Sequence, residues 1–325
     1  MLQLCCYLFL LWEDGRISII SQKNNIFHLF WALYYNLIIN NATFIRYLKT
    51  NLKFIEFIVI TWSIIVGITI FIPGCYSTAD TWGDYKYFFS IISEGGSRLG
   101  SDAVMIIALI LILIIFDSAK ITKCVFLIVP MYTVIMCGSR LYLFFGMIEM
   151  LICLYFVISN EKKFILISIP TCLALIFVSL VTSLGAKIAA KQYTSSSVHN
   201  KYDTISSGRF SPILRGVKAF YDSNLFNKIF GNGFAFIEEV THNWVFNDFI
   251  EIGLIYGLVG LLCYLYIMRK SLLHMSKSSI SFYMKVTVVC TWLVAAFFAL
   301  FYRTVAYTIA FFITVAILGY SNRKE

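Results

Sequence analysis

The sequence predicts an all-α polytopic membrane protein, a single membrane domain over 1–325 with about ten transmembrane helices. One large external loop carries an amphipathic helix. Three observations predict this. Hydrophobic residues make up 60% of the chain and charged residues only 13%, whereas soluble domains carry about 25% charged residues. The mean hydropathy is +0.82. Basic residues cluster in alternate gaps between the apolar runs, as cytoplasmic loops require.

The apolar runs fall at 2–12, 26–45, 54–73, 103–116, 121–137, 141–158, 164–184, 249–268, 282–300 and 302–320. A span needs ~20 residues, so 103–116 and 121–137 must borrow flanking polar residues to reach across. The run 2–12 has no basic leader, and EDGR follows it rather than an A-x-A-like cleavage site. It reads as a short first helix, with the natural start of the chain left open.

Basic residues orient the set. Gap 46–53 carries Arg46, Lys49 and Lys53; gap 117–123 carries Lys120 and Lys123; gap 159–163 carries Lys162 and Lys163. Gap 269–281 carries Arg269, Lys270 and Lys277, and the tail carries Arg323 and Lys324. These fall on one side, which the positive-inside rule makes the cytoplasm, with both termini there. The other side receives loop 74–102 and the long loop 185–248. Long loops translocate whatever their charge.

The formal charge of +9 does not imply nucleic acid, because orientation explains many of the basic residues. The excess on the outer side fits an anionic substrate. The cysteines lie in or beside apolar runs, apart from Cys75, and form no CxxC or Cys/His cluster. Neither a disulfide framework nor a metal site is expected. The chain also lacks GxxxxGK[ST], GxGxxG after a strand, HExxH and GxSxG. Glu56 and Glu149 are the carboxylates read as lying inside apolar runs, where either could pair with a buried basic group.

The stretch 206–260 departs from the lipid-soluble pattern. Ser211-Pro212 reads as a helix start, with Ser as N-cap. Ile213, Leu214, Val217, Phe220 and Tyr221 follow at helical spacing, with Arg215 and Lys218 on another face. Asp222-Ser223-Asn224 ends this helix, which lies along the membrane surface or caps the bundle. Gly231-Asn232-Gly233 forces a turn. His242 and Asn243 come next, beside Glu238 and Glu239, just before the chain re-enters the bilayer near Phe249.

Histidine is the natural acid/base near neutral pH. His28 reads as packed, His274 and His199 as solvated or bland, and His242 as the candidate base. Arginine binds two phosphate oxygens at once and keeps its charge. Arg209 and Arg215 share the outer side with His242. Arg140 closes Gly138-Ser139-Arg140 at the outer end of another span. Arg303 is either a fourth such group or a snorkelling side chain. In the other external loop, Asp80, Trp82, Asp84 and Tyr85 offer carboxylates for sugar hydroxyls and rings for sugar faces. An interfacial aromatic belt would look the same.

Three signatures resemble one family, the polysaccharide repeat-unit polymerase and O-antigen ligase superfamily of bacterial membrane glycosyltransferases. Ser207-Gly208-Arg209, an amphipathic helix, then Phe230-Gly231-Asn232-Gly233-Phe234 resembles its SGR…helix…G-x-G loop. His242-Asn243 followed by Gly253-Leu254-Ile255 resembles its HN re-entry into a helix, and Gly138-Ser139-Arg140 its SR motif. Tyr256 stands where a second glycine is usual, and the chain looks short for the family.

The resemblance implies a glycan donor on undecaprenyl pyrophosphate at the outer leaflet of the bacterial inner membrane. Arg209, Arg215 and Arg140 would hold the diphosphate, His242 would act as base, and Asn243 would orient it or the substrate. No cofactor and no metal are implied. Partners would be the lipid-linked glycan, membrane lipids, and chain-length regulator and flippase proteins. Polymerase is favoured over ligase because loop 80–89 suits a sugar acceptor. A lipid-linked-oligosaccharide or solute transporter is the reading from another class.

Overall fold

A computed structural model describes residues 42–71, 76–79, 84–87, 98–116, 120–137, 139–158, 161–181, 209–233, 236–237, 245, 247–276, 281–298 and 305–320. These residues are helical apart from one short hairpin and the connecting turns. The helices are α1 (Ala42–Thr50), α2 (Leu52–Phe71), α3 (Arg98–Phe116), α4 (Lys120–Lys123), α5 (Ile128–Met136) and α6 (Arg140–Val157). They continue as α7 (Glu161–Val181), α8 (Phe210–Asp222), α9 (Leu225–Phe230), α10 (Asp248–Ser276), α11 (Phe282–Phe298) and α12 (Val305–Tyr320). In the expected outer loop, β1 (Tyr76–Ala79) pairs antiparallel with β2 (Asp84–Tyr87).

Among the described residues, three helices are long and apolar enough to cross a membrane: α6, α7 and α10. The pair α1–α2, bent by 74°, makes a fourth if it is one span. The apolar stretches Gly100–Phe116 of α3, Met284–Phe297 of α11 and Thr308–Tyr320 of α12 are shorter. Run 2–12 and residues 26–41 of run 26–45 lie outside the described residues, and residues 42–45 open α1.

The interior is organised around α3, which packs on α2, α5, α6 and α12. Its unbroken apolar run buries on nearly every side, from Ala103 to Ile114. A helix apolar all round belongs in the centre of a bundle. By contrast, α7 is inside-out. Leu166, Phe177 and Val181 are exposed while Ser168 and Ser179 are buried, the pattern of a helix facing hydrocarbon.

Several boundaries differ from the sequence reading. Residues 46–53 are not a loop, because α1 runs on to Thr50 and α2 begins at Leu52. Arg46 and Lys49 therefore sit on a helix set at an angle to α2. Run 121–137 is not one helix but α4, a 3₁₀ turn (Cys124–Leu127) and α5. α3 does extend beyond its apolar run, recruiting residues 98–102. α10 does not stop near 268 but continues to Ser276, carrying Arg269, Lys270 and His274 with it. It covers 29 residues in all, with a break at Gly257. His274 is thereby half-buried, its ring against Gly319 of α12, rather than solvated in a loop.

Of the two carboxylates expected in apolar runs, Glu56 finds its cation. Lys123 Nζ lies 2.5 Å from its Oε1. Its partner comes from α4, so the ion pair ties α2 to the broken segment beside it.

Candidate functional site

α8 begins at Phe210 with Arg209 as its N-cap, two residues earlier than Ser211 would have set it. Arg209 makes no side-chain capping bond. The helix has three faces. Pro212 and Gly216 are buried, with Ile213 and Phe220 half-buried beside them. Leu214, Val217 and Tyr221 form an exposed apolar strip. Arg215, Lys218 and Asp222 form an exposed charged strip alongside it. An apolar strip next to a cationic one is how a helix sits at a lipid interface.

Gly216 is the contact point with the re-entry helix. A side chain there would meet Val245, Ile250 and Leu254 at 3.1–3.4 Å. Helix α8 ends at Asp222, as its Asp-Ser-Asn stop predicts. Asn224 then caps α9, accepting from Asn227 N–H at 2.7 Å. This short helix was not foreseen.

Beyond α9 comes the Gly-Asn-Gly turn, docked on a break in α10. Gly257 has φ 65° and ψ −168°, far from helical values, so the helical ladder is interrupted there. The carbonyls of Leu254 and Ile255 accept instead from Asn232 N–H (2.7 Å) and Gly233 N–H (3.1 Å). Both turn glycines have positive φ, 96° and 77°. Asn232 is pinned from both sides: Asn227 Nδ2 donates to its Oδ1 at 2.8 Å, and its own Nδ2 donates to Ser223 Oγ at 3.2 Å. Gly257, the residue after Tyr256, supplies the backbone freedom at this break.

Under this clasp lies a buried polar network that the sequence reading did not assemble. Asn247 caps α10 by accepting Ile250 N–H at 3.1 Å. Glu251, fully buried, accepts Val245 N–H at 3.1 Å. Asp248, also fully buried, accepts from Tyr264 Oη at 2.9 Å, and Trp292 Nε1 donates to Tyr264 Oη at 3.0 Å. Glu251 therefore joins the carboxylates inside apolar helices. The signal was present as an Asp-x-x-Glu pair in a first turn, where carboxylates suit the helix dipole.

No family model, curated protein or solved structure matches the chain.

The expected site residues are distributed as follows. Arg209 and Arg215 stand on α8, ~9 Å apart along its axis and ~120° apart around it, so they do not present one fork to a single phosphate. Arg140 is the exposed first residue of α6, after Ser139 in extended conformation. The main packing partners of α6 are α3, α5, α7 and α11, whereas α8 packs on α10. Asp84 and Tyr85 lie on β2, paired with Ala79 and Thr78. Asp80, Trp82, His242, Asn243 and Arg303 lie outside the described residues.

Proposed function

We propose that the chain is a glycosyltransferase that polymerises undecaprenyl-pyrophosphate-linked oligosaccharide repeat units into O-antigen or capsular polysaccharide. The reaction takes place at the outer face of the bacterial inner membrane. One observation carries this reading: the Gly-Asn-Gly turn clasps the cation-bearing α8 onto the helix that follows His242-Asn243. In sequence, Val245 lies three residue steps after His242, a tether of at most ~11 Å, and Val245 packs where Gly216 meets α10. Arg215 is the neighbour of Gly216.

In this mechanism the acceptor sugar hydroxyl gives its proton to His242. Its oxygen forms the new glycosidic bond while the bond from the donor's anomeric carbon to the diphosphate breaks. Undecaprenyl pyrophosphate leaves, with Arg215, Arg209 and Arg140 opposing the charge it gathers. Asn243 orients the base or the substrate. Asp80, Trp82, Asp84 and Tyr85 hold the acceptor sugar. The strip of Leu214, Val217 and Tyr221 faces lipid, so the donor's isoprenoid arrives sideways beside the cationic face. Arginines neutralise the diphosphate without a metal. Both termini are cytoplasmic, and a flippase and a chain-length regulator act before and beside the enzyme.

The test is the surface polysaccharide of a strain lacking this chain, resolved on gels. Single repeat units on the lipid core are the expected result. Finished polymer stranded on the lipid carrier would instead assign ligation to lipid A–core. Repeat units trapped inside the cell would assign transport and overturn glycosyl transfer.

A further inference from the structure

Glu149 takes no part in the clasp and has no role in glycosyl transfer. It is the tenth residue of α6, 5% exposed, so it lies ~14 Å along the helix from its start. That is about mid-depth for a spanning helix. Its Oε2 has no hydrogen-bond partner among the described residues. An intramembrane carboxylate is costly to keep there and is by default functional.

The carboxylate lines a cavity of about 20 Å³ between α6, α11 and α12. Most of the lining is apolar, but Thr291 and Thr314 also face it. Each is the tenth residue of its own helix, so three polar side chains meet at matched depth. Both hydroxyls are already committed as donors. Thr291 donates to the Thr287 carbonyl at 2.7 Å and Thr314 to the Ala310 carbonyl at 2.8 Å. What they can offer the cavity is oxygen lone pairs. The polar lining is therefore a carboxyl group and two hydroxyl acceptors.

Among the described residues, no Lys, Arg, His or second carboxylate lines the cavity. On the helices packed against α6, charged residues fall near the starts: Arg98 and Asp102 on α3, Glu161, Lys162 and Lys163 on α7, Lys285 on α11. Lys285 is turned away to the Ser276 carbonyl at 2.8 Å. α5 and α12 carry no charged residue. Cys153, one turn beyond Glu149, and Tyr142, two turns before it, are the other titratable side chains on the same buried face of α6.

Uncompensated, a carboxylate in such a place is strongly disfavoured. The cavity admits one water-sized body, since ~10–15 Å³ on this measure suffices for one. We propose that Glu149, Thr291 and Thr314 form a monovalent-cation site that holds one positive charge, a proton or a sodium ion, between α6, α11 and α12. Occupancy would fix how α6 meets α11. Thr291 adjoins Trp292, whose indole N–H holds Tyr264 against Asp248 at the start of α10. The site thus sits one residue from the network beneath the clasp, and it stands whether or not glycosyl transfer is correct.

The experiment compares the detergent-purified full chain with its Glu149→Gln variant by thermal midpoint, from about pH 5 to about pH 9. Each pH is run in sodium chloride and in choline chloride at one ionic strength. With a proton as occupant, the wild-type midpoint falls as pH rises, because the folded chain keeps a proton that the unfolded chain releases. That part of the fall is missing in Glu149→Gln. With sodium as occupant, the wild-type midpoint climbs with sodium at fixed pH, and the variant loses the response. Identical pH and sodium profiles for the two proteins overturn the proposal. Should Glu149→Gln fail to fold, Thr291→Val and Thr314→Val keep the shape and remove one oxygen each. Either response should then shift, and unshifted responses in both variants overturn the proposal equally.

Discussion

Gly231 and Gly257 are packed backbone to backbone. A Cβ on Gly257 would fall 2.6 Å from the Gly231 nitrogen and 2.2 Å from the Ile229 carbonyl oxygen. A Cβ on Gly231 would fall 2.1 Å from the Ile255 carbonyl oxygen. Both residues also have positive φ, where a side chain adds strain of ~1–3 kcal/mol. None of the clashing atoms belongs to a flexible side chain, so the loop must lift away. Gly231→Ala and Gly257→Ala should each destabilise by about 3 kcal/mol or more. Once the contact is broken by one, the second should add little. Chemical denaturation in detergent of the two single variants and the double variant checks this; fully additive losses would contradict it.

Tyr264 is the relay of the buried network. Its hydroxyl receives Trp292 Nε1–H and donates to Asp248. Tyr264→Phe strands an indole donor and removes a donor from a buried carboxylate, at a cost of about 1–3 kcal/mol. Trp292→Phe alone removes one of those bonds and some packing. The double variant should be less damaging than the sum of the singles, by roughly 1 kcal/mol, because the bond between the two residues is lost only once. A coupling near zero in a double-mutant cycle would mean the relay carries no stability.

The Glu56–Lys123 pair makes a stronger prediction of the same sign. The Lys123 side chain is 11% exposed and that of Glu56 30% exposed, so water still screens the pair in part. Glu56→Gln leaves the less exposed ammonium without its countercharge and should lower stability. Lys123→Met in the same chain should restore much of that loss, since an apolar side chain needs no partner. If the double variant is as unstable as Glu56→Gln, packing rather than charge explains the site.

The helices were legible where a long apolar run dominates, as in α6, α7 and α11, because burial and lipid exposure both demand the same residue types. Boundaries were misjudged where charge was taken as the end of a helix. Arg46, Lys49, Arg269 and Lys270 all lie inside helices, since long basic side chains are good helix formers and reach past the apolar zone. Gly231-Asn232-Gly233 was readable as a turn. Its docking partner was not, because pairing it with Gly257 depends on a tertiary contact across 26 residues. The network of Asp248, Tyr264 and Trp292 was hidden for the same reason: its members come from three separated places in the chain, and none is unusual alone.

The activity predictions turn on α8. Arg209 is the N-cap of α8 and Arg215 is exposed on it, and lysine matches arginine in charge and helix propensity, so neither Lys substitution should unfold the helix. Arg209→Lys and Arg215→Lys keep the charge but lose the planar fork. Turnover of lipid-linked repeat units should then fall by about tenfold to a hundredfold, with protein level unchanged. His242→Ala removes the proposed proton acceptor and should cost about 10²–10⁴-fold, which appears on gels as loss of polymer. The Lys variants should keep a weakened activity while the Ala variant does not, because a point charge still opposes a diphosphate and a methyl group takes no proton. Normal chain length in His242→Ala would remove it as the base. Full turnover in both Lys variants would mean the diphosphate is held elsewhere, with Arg140 the next residue to replace.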